Sequence, residues 1–241
     1  MRVSVVIPAY NEEKLLPATL DAVRAACAGF SDRGWETEVF VCDNNSTDRT
    51  AELARAAGAR VVFEPVNQIG RARNTGAAAA SGDWLVFVDA DSSPSAALFD
   101  AVAGAIQSGR IVAGGSTIRM DGGGPSLAAI ALLWNTWSRC VRWMAGSFIF
   151  VERSAFESVG GFNLTLYAAE EIDLSRRLKP LARKTGRRLI ILNAAPLKTS
   201  ARKATLYSPS ELLGFFIRGL IRPQATVRSR DACNPWYDGR R

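Results

Sequence analysis

The chain has 241 residues, 48% of them hydrophobic and 22% charged, which suits one folded domain of generous size or two small ones with a sizeable core. It contains no histidine, which removes histidine-ligated metals, the commonest general base and every Ser-His-Asp scheme, and leaves acid–base chemistry to carboxylates. The formal charge of +7 is uneven: residues 1–175 hold 14 basic and 20 acidic side chains, residues 176–241 hold 16 and 3, so the basic C-terminal quarter faces a polyanion such as substrate phosphate, an anionic membrane or nucleic acid.

Cys27, Cys42, Cys140 and Cys233 are scattered with no Cys-x-x-Cys pair, so neither a zinc site nor a disulfide framework is indicated and a reducing cytoplasm is expected. Met1 to Ile7 is too short for a signal-peptide core, and no apolar run approaches the roughly 20 residues that span a bilayer. A soluble or peripheral protein is expected.

Arg2 to Ile7 reads as a strand closed by Pro8-Ala9-Tyr10-Asn11, and Glu12 to Gly29 as a helix with Leu15, Leu16, Thr19, Leu20, Val23 and Ala26 at helical spacing. A second strand, Glu38 to Cys42, ends in Asp43. Ser46, Thr47 or Asp48 caps the helix from Arg49 to Ala57, and Asp43 stands too early for that task. Arg60 to Glu64 is a third strand. Gln68 to Ala80 is a helix of small residues in which Arg71 reads as solvated, although an arginine on so smooth a surface can reach a crevice.

The chain is organised around the next strand, Trp84 to Val88, short, bounded by turn residues and apolar on both faces, as in the centre of a parallel sheet. It runs into Asp89 and Asp91, which alternation points to one side at the carboxyl end, where open α/β sheets bind ligands. Ser93 and Pro94 already supply an N-cap and first residue for a helix to Gln107, leaving the aspartates free. Repelling carboxylates at one site are tolerated when a cation sits between them, and oxygen ligands suit Mg²⁺ or Mn²⁺.

Arg110 to Met120 is a strand in which Gly114-Gly115 predicts a bulge or close backbone approach. Residues 126–144 read as a helix with Ile130, Trp134, Trp137, Val141 and Met144 along one stripe, first of all a core stripe and otherwise a platform for a sugar or lipid. Ser147 to Glu152 is a strand, followed by a short helix and the turn Gly160-Gly161-Phe162-Asn163. Glu170, Glu171 and Asp173 then exceed what a helix start needs for its dipole, and one of them is placed to act as a general base. No Gly-x-Gly-x-x-Gly follows a strand, so neither a dinucleotide fingerprint nor a P-loop is present. Alternating strands and helices predict an α/β protein with a largely parallel sheet.

Four segments agree in order and spacing: Val3 to Leu20, Val39 to Leu53, Gly70 to Ser92 and Gly160 to Leu178. Together, over about the first three quarters of the chain, they resemble a family 2 glycosyltransferase. The resemblance implies the GT-A fold, a Rossmann-like mostly parallel central sheet flanked by helices, and transfer from a UDP- or GDP-linked sugar with inversion. It places Pro8, Ala9, Tyr10 and Glu12 beneath the nucleotide, Asp43 against the base and Arg73 in the donor site. Asp89 lies near the ribose in that family, and Asp91 holds Mn²⁺ or Mg²⁺ against the diphosphate. Where the family has Glu-Asp this chain has Glu170-Glu171, so Glu171 inherits the role of base, with Glu170 and Asp173 as alternatives. The Gln-x-x-Arg-Trp signature of processive synthases is absent, which favours a single transfer.

The division expected is a catalytic domain over 1–204, with a nucleotide half to about residue 92 and an acceptor half beyond it, and a basic helical extension over 205–241. In that extension Tyr207 to Glu211 reads as a helix start, and the apolar Leu212 to Ile221 stands among Arg218, Arg222, Arg228 and Arg230. Either it packs on the catalytic domain or it gives salt-sensitive contact with the inner membrane face, where a lipid-linked acceptor would be met. Lys198 to Lys203 closes over the diphosphate or is a solvated basic loop. Competing readings are a nucleotidyltransferase, whose glycine- and lysine-rich loop is not seen in Pro8 to Lys14, and a non-catalytic anion-binding protein. No nucleic-acid partner is expected.

Overall fold

The computed structural model describes residues 1–122, 124–202, 223–233 and 237. Its strands are β1 (Arg2–Ala9), β2 (Glu36–Asp43), β3 (Arg60–Phe63), β4 (Trp84–Val88), β5 (Ser92–Ser93), β6 (Ile111–Asp121), β7 (Phe148–Glu152) and β8 (Arg188–Ser200). Its helices are α1 (Leu16–Ala26), α2 (Ala28–Ser31), α3 (Thr50–Ala56), α4 (Ile69–Ala79), α5 (Ala96–Gln107), α6 (Gly124–Val141), α7 (Arg153–Ser158), α8 (Glu170–Lys184) and α9 (Pro223–Arg228).

The strands form one mixed sheet in the order β3-β2-β1-β4-β7-β6-β8-β5. β1 is parallel to β2 and β4, and β2 to β3. Beyond β4 the sheet turns mixed: β7 is antiparallel to β4 and β6, while β6 and β8 run parallel. This is an α/β fold with a parallel nucleus, as the sequence predicts. β2 and β4 flank β1 on opposite sides, so the chain leaves β1 one way and returns to the other, which opens a crevice at the carboxyl ends.

Period-two alternation assigns the core. Val3, Val5 and Ile7 of β1 join Trp84, Val86 and Val88 of β4 against α1 and α5. Val6, Leu85 and Phe87 face the other way, with Ala77, Phe156, Leu174 and Leu178 from α4, α7 and α8. Phe87 packs on Phe156 and Phe162 at 5.4 and 5.1 Å between ring centroids, and each such buried ring contributes about 2 kcal/mol. These central strands aim the crevice residues because neither face has room for a register slip.

Several expectations are corrected. The first helix starts at Leu16 rather than Glu12: Glu12 gives its N–H to Thr50 Oγ1, and its carbonyl accepts from Leu15 and Leu16 in a turn. Ser93 and Pro94 do not open α5. Ser92–Ser93 pairs with Lys198–Thr199 as β5, and Ser95 caps the helix by accepting from the Leu98 N–H. Of the two readings of Gly114-Gly115, close backbone approach is the one borne out: a Cβ on Gly114 would stand 2.5 Å from the Phe150 ring, and the register shifts lie on either side of the glycine pair.

The stripe read along α6 divides: Met144, just past the helix, is in the core, Trp134 and Val141 are half-buried, and Ile130 and Trp137 are exposed. Ile130, Leu132, Leu133 and Trp137 are 61, 67, 72 and 55% exposed, and the buried positions of the helix are Ala131 and Ser138. Asn135 decides which face turns inward: its side chain accepts from the Ile118 N–H at 2.9 Å and donates to the Ile118 carbonyl at 2.8 Å, filling the ladder where β6 shifts register.

The expected helix start at Tyr207 to Glu211, the apolar segment Leu212 to Ile221, Arg218, Arg222 and the boundary between 204 and 205 lie outside the described residues. Farther on, the Val227 carbonyl accepts the Tyr167 N–H, and Cys233 and Tyr237 are buried. No helix of the described residues is long and apolar enough to cross a membrane.

Candidate active site

At the carboxyl ends of β1, β2 and β4 lies an open cleft, with about 510 Å³ of free space when the open solvent at its mouth is included. Pro8, Ala9, Tyr10 and Glu12 line it from the β1 side and Asp89, Ala90 and Asp91 from the β4 side. Asn44, Asn67, Ile69 and Tyr237 complete the wall. The strand-end residues singled out in the sequence thus share one cavity, except Asp43. That carboxylate is buried and accepts the Ser46 N–H at 3.1 Å, holding the turn after β2, while its neighbour Asn44 faces the cleft. The Asn44 amide donates to the Val66 and Glu64 carbonyls and accepts from the Gln68 N–H, fixing the loop that leads into α4.

Arg73 projects from α4 beneath the cleft and is 1% exposed. Its Nη2 donates to Asp89 Oδ1 at 2.9 Å and to the Gly146 carbonyl at 2.8 Å; its Nη1 donates to Glu170 Oε1 at 2.7 Å. The guanidinium also stands over the Phe162 ring, 5.2 Å from its centroid. Burial works against its charge, but Asp89 and then Glu170 outweigh that and raise its pKa. A buried ion triad of this kind is weak evidence of net stability, because desolvating three charges costs several kcal/mol; its sure effect is to hold Asp89 and Glu170 in one geometry.

The three acids opening α8 therefore differ. Glu170 is 4% exposed and locked on Arg73. Asp173 pairs with Arg177 one turn along the helix, at 2.6 Å. Glu171 is in no ion pair among the described residues and is half-buried; its Oε1 lies 3.5 Å from where a β-carbon on Gly146 would stand, close to Arg73. Burial, and next the charge of Glu170, push its pKa up from 4.5 to about 8, with Arg73 opposing. Ala169, just before the helix, adopts a left-handed conformation (φ 61°, ψ 19°), a strained state for alanine that sets the direction in which the acids leave the backbone.

At the mouth, Arg202 reaches in from the end of β8. Its Nη2 donates to Glu12 Oε1 at 2.7 Å and stands 3.9 Å from Asp91 Oδ2. Burial opposes its charge, and Glu12 then Asp91 raise its pKa. This part of the expected Lys198 to Lys203 closure is over the cleft; Lys203 lies outside the described residues.

No group of three or more metal-ligand side chains exists among the described residues, and Asp89 already has one oxygen on Arg73. Asp91, with the second oxygen of Asp89, is a hard-oxygen set too small to hold a cation alone. It fits Mg²⁺ or Mn²⁺, which bind through one or two carboxylates when phosphate and water complete the shell.

Sequence reading did not find Asn67, Ile69 or Tyr237. Tyr237 donates to the Tyr167 carbonyl at 2.9 Å from a point 70 residues away in the chain, and no local pattern signals such a contact.

The model of the family described as glycosyl transferase family 2 matches residues 4–142. An uncharacterized glycosyltransferase of Mycobacterium tuberculosis is 43% identical over 91 residues, 38% of this chain and 37% of that protein, so the match spans little more than a third of either. Glucosyl-3-phosphoglycerate synthase of the same organism is 39% identical over 97 residues, 37% of this chain and 28% of its own. Its crystal structure with Mn²⁺, uridine diphosphate and phosphoglyceric acid superimposes with a TM-score of 0.62 at 26% identity, covering 94% of this chain and 78% of that one. A mannosyltransferase from Pyrobaculum calidifontis shares the fold, with a TM-score of 0.67 at 20% identity over 98% of this chain and 67% of the other. With more than half of its length matched by the family model and the GT-A architecture around its cleft, the chain belongs to glycosyl transferase family 2.

Proposed function

We propose that the protein is a glycosyltransferase that moves one sugar from a nucleoside-diphosphate sugar to an acceptor hydroxyl with inversion. The observation that carries this reading is the division of labour around Arg73: on one side Asp89 and Asp91 face the cleft, on the other Glu171 stands beside a neighbour already neutralised. Pro8, Ala9, Tyr10 and Asn44 form the wall on which nucleoside and ribose rest. Asp91, assisted by Asp89, would hold a divalent cation, which when bound would offset the charge that grows on the departing diphosphate.

Glu171 accepts the proton of the acceptor hydroxyl as its oxygen forms the new bond to the anomeric carbon and the bond to the diphosphate oxygen breaks. A base with pKa near 8 matches the demand at neutral to mildly alkaline pH, strong enough to take the proton and ionised in a useful fraction of molecules. Arg73 touches neither bond in this scheme; it positions Asp89 and Glu170. Arg202, whose partners Glu12 and Asp91 are at the mouth, supplies a second positive group for the diphosphate. Support from relatives comes from the glucosyl-3-phosphoglycerate synthase, whose structure holds Mn²⁺ and uridine diphosphate.

The test is product formation across a panel of labelled UDP- and GDP-sugars with Mn²⁺ or Mg²⁺, together with melting temperatures. A donor should raise the melting temperature only with the metal present, as binding to the native state requires. Stabilisation independent of metal would overturn the assignment of Asp91.

A further inference from the structure

Helix α6 turns several large apolar side chains outward. Single exposed leucines are ordinary on a protein surface, but Ile130, Leu132, Leu133 and Trp137 are more than half exposed within two turns of one helix, while Asn135 and Ser138 face inward. This apolar face does not end in neutral surface. The Trp137 ring meets Trp143 edge-on at 6.4 Å, and Lys179 stands 5.9 Å over Trp143 while donating to the Val141 carbonyl.

From there a groove is lined by Arg142, Lys179, Arg183 and Arg188, with Cys140 and Val141 on the helix side. A second groove beside it is lined by Arg139, Arg142 and Arg188. Arg187, at the edge, is met by Glu152. Arg139, Arg142, Lys179, Arg183 and Arg188 form no ion pair among the described residues. Their crowding is felt at Lys179, whose pKa is lowered by burial first and then by Arg183, Arg142 and Arg176.

We infer that the outward face of α6 and the basic cluster at its C-terminal end form a docking surface for an anionic lipid bilayer. An apolar helix face bordered by unmatched cations, with tryptophan at the boundary, is the composition of a helix lying in a lipid interface. The apolar side chains enter the headgroup boundary and the arginines meet lipid phosphates. In a two-fold contact of this face with its own copy, cation would meet cation, so charge complementarity favours lipid over that contact. The surface also adjoins the cleft: Trp143 and Met144 lead from α6 to Gly146, whose carbonyl holds Arg73. The inference does not depend on the sugar-transfer reading.

The experiment is co-sedimentation of the full chain with phosphatidylcholine vesicles, with and without phosphatidylglycerol. Binding to the anionic vesicles should exceed binding to neutral ones at least tenfold and fall at high salt. Leu133→Asp with Trp137→Asp, and separately Arg142→Glu with Arg183→Glu, should each reduce it about tenfold. Should either double variant fail to fold, quenching of tryptophan fluorescence by brominated lipid decides: Trp137→Phe should lose most of the quenching. The inference is overturned if the wild type binds neither vesicle or both equally, or if the substitutions or Trp137→Phe leave binding and quenching unchanged. A dimer in lipid-free solution that Leu133→Asp converts to monomer would overturn it in favour of a contact between copies.

Discussion

Two acidic clusters face each other across Arg73, and they are neutralised differently. At the end of β4, Asp89 is paired with Arg73 while Asp91, one pleat on, stands 3.9 Å from Arg202 at the open mouth. At the start of α8, Glu170 and Asp173 are each ion-paired with an arginine, and Glu171 between them, though near Arg73, is in no ion pair among the described residues. Under the proposed function the first cluster receives the cation that accompanies the diphosphate. The second is arranged to leave one carboxyl poorly solvated and basic. The same residue type is treated differently because one arginine is shared between the clusters, while Asp91 and Asp173 are met by Arg202 and Arg177.

The sharpest way to break this comparison is Arg73→Met, which removes the shared cation and leaves Asp89 and Glu170 buried without it. A loss of about 3–5 kcal/mol is expected, the scale for stripping one partner from a buried ion pair, measured by urea unfolding near pH 7. A loss below about 1 kcal/mol would mean that the triad does not hold the two clusters.

Glu171→Gln should separate the clusters functionally. Turnover should fall about 100-fold or more, equivalent to about 2.7 kcal/mol of barrier, with metal-dependent donor affinity nearly unchanged. If Glu170→Gln instead gives this pattern without destabilising the fold, the base is Glu170.

The same variant carries a pH signature whose sign follows from linkage. Glu171 has a folded-state pKa near 8 against 4.5 without the fold, so the native state binds the extra proton between these values and loses stability as pH rises from about 4.5 to about 8. Glu171→Gln should remove that loss, so its melting temperature relative to wild type should be higher at pH 9 than at pH 4.5. A constant difference across the range would show that the carboxyl is not perturbed.

Asp91→Ala tests the other cluster. At a cation and donor concentration of about 100 times Kd, wild type should gain about 2.7 kcal/mol from the ligands, and this variant should lose that gain while retaining the Arg73 triad. The smallest effect belongs to Asp173→Ala, whose half-exposed partner lies one helical turn away. It should cost no more than about 0.5 kcal/mol and leave turnover intact; a large fall in turnover would move the base along the helix.

Legibility in the sequence follows the range of the interaction. β4 spans Trp84–Val88 as expected, because an uninterrupted apolar run bounded by Gly82-Asp83 and Asp89 admits one strand. Helix starts slipped by a few residues where a tertiary partner competed, as when β5 claimed Ser93 and moved the cap to Ser95. Only part of the α6 stripe is core, because periodicity locates a stripe without saying what lies against it, and the two hydrogen bonds between Asn135 and Ile118 turn that polar side chain towards β6.

The sequence by itself determined the α/β class, the family resemblance and the grouping of Asp89 and Asp91 at a strand's end, since each is written in neighbouring residues through strand alternation and turn chemistry. It also limited acid–base chemistry to carboxylates by lacking histidine. Only the tertiary structure decided which carboxylate opening α8 stays out of an ion pair, where Arg73 is buried and how Tyr237 and Arg202 come to the cleft. The physical reason is that pKa and burial depend on charge and solvent in space: Arg73 meets Asp89 across 16 residues of chain and Glu170 across 97, and only the packed sheet brings the three together away from water.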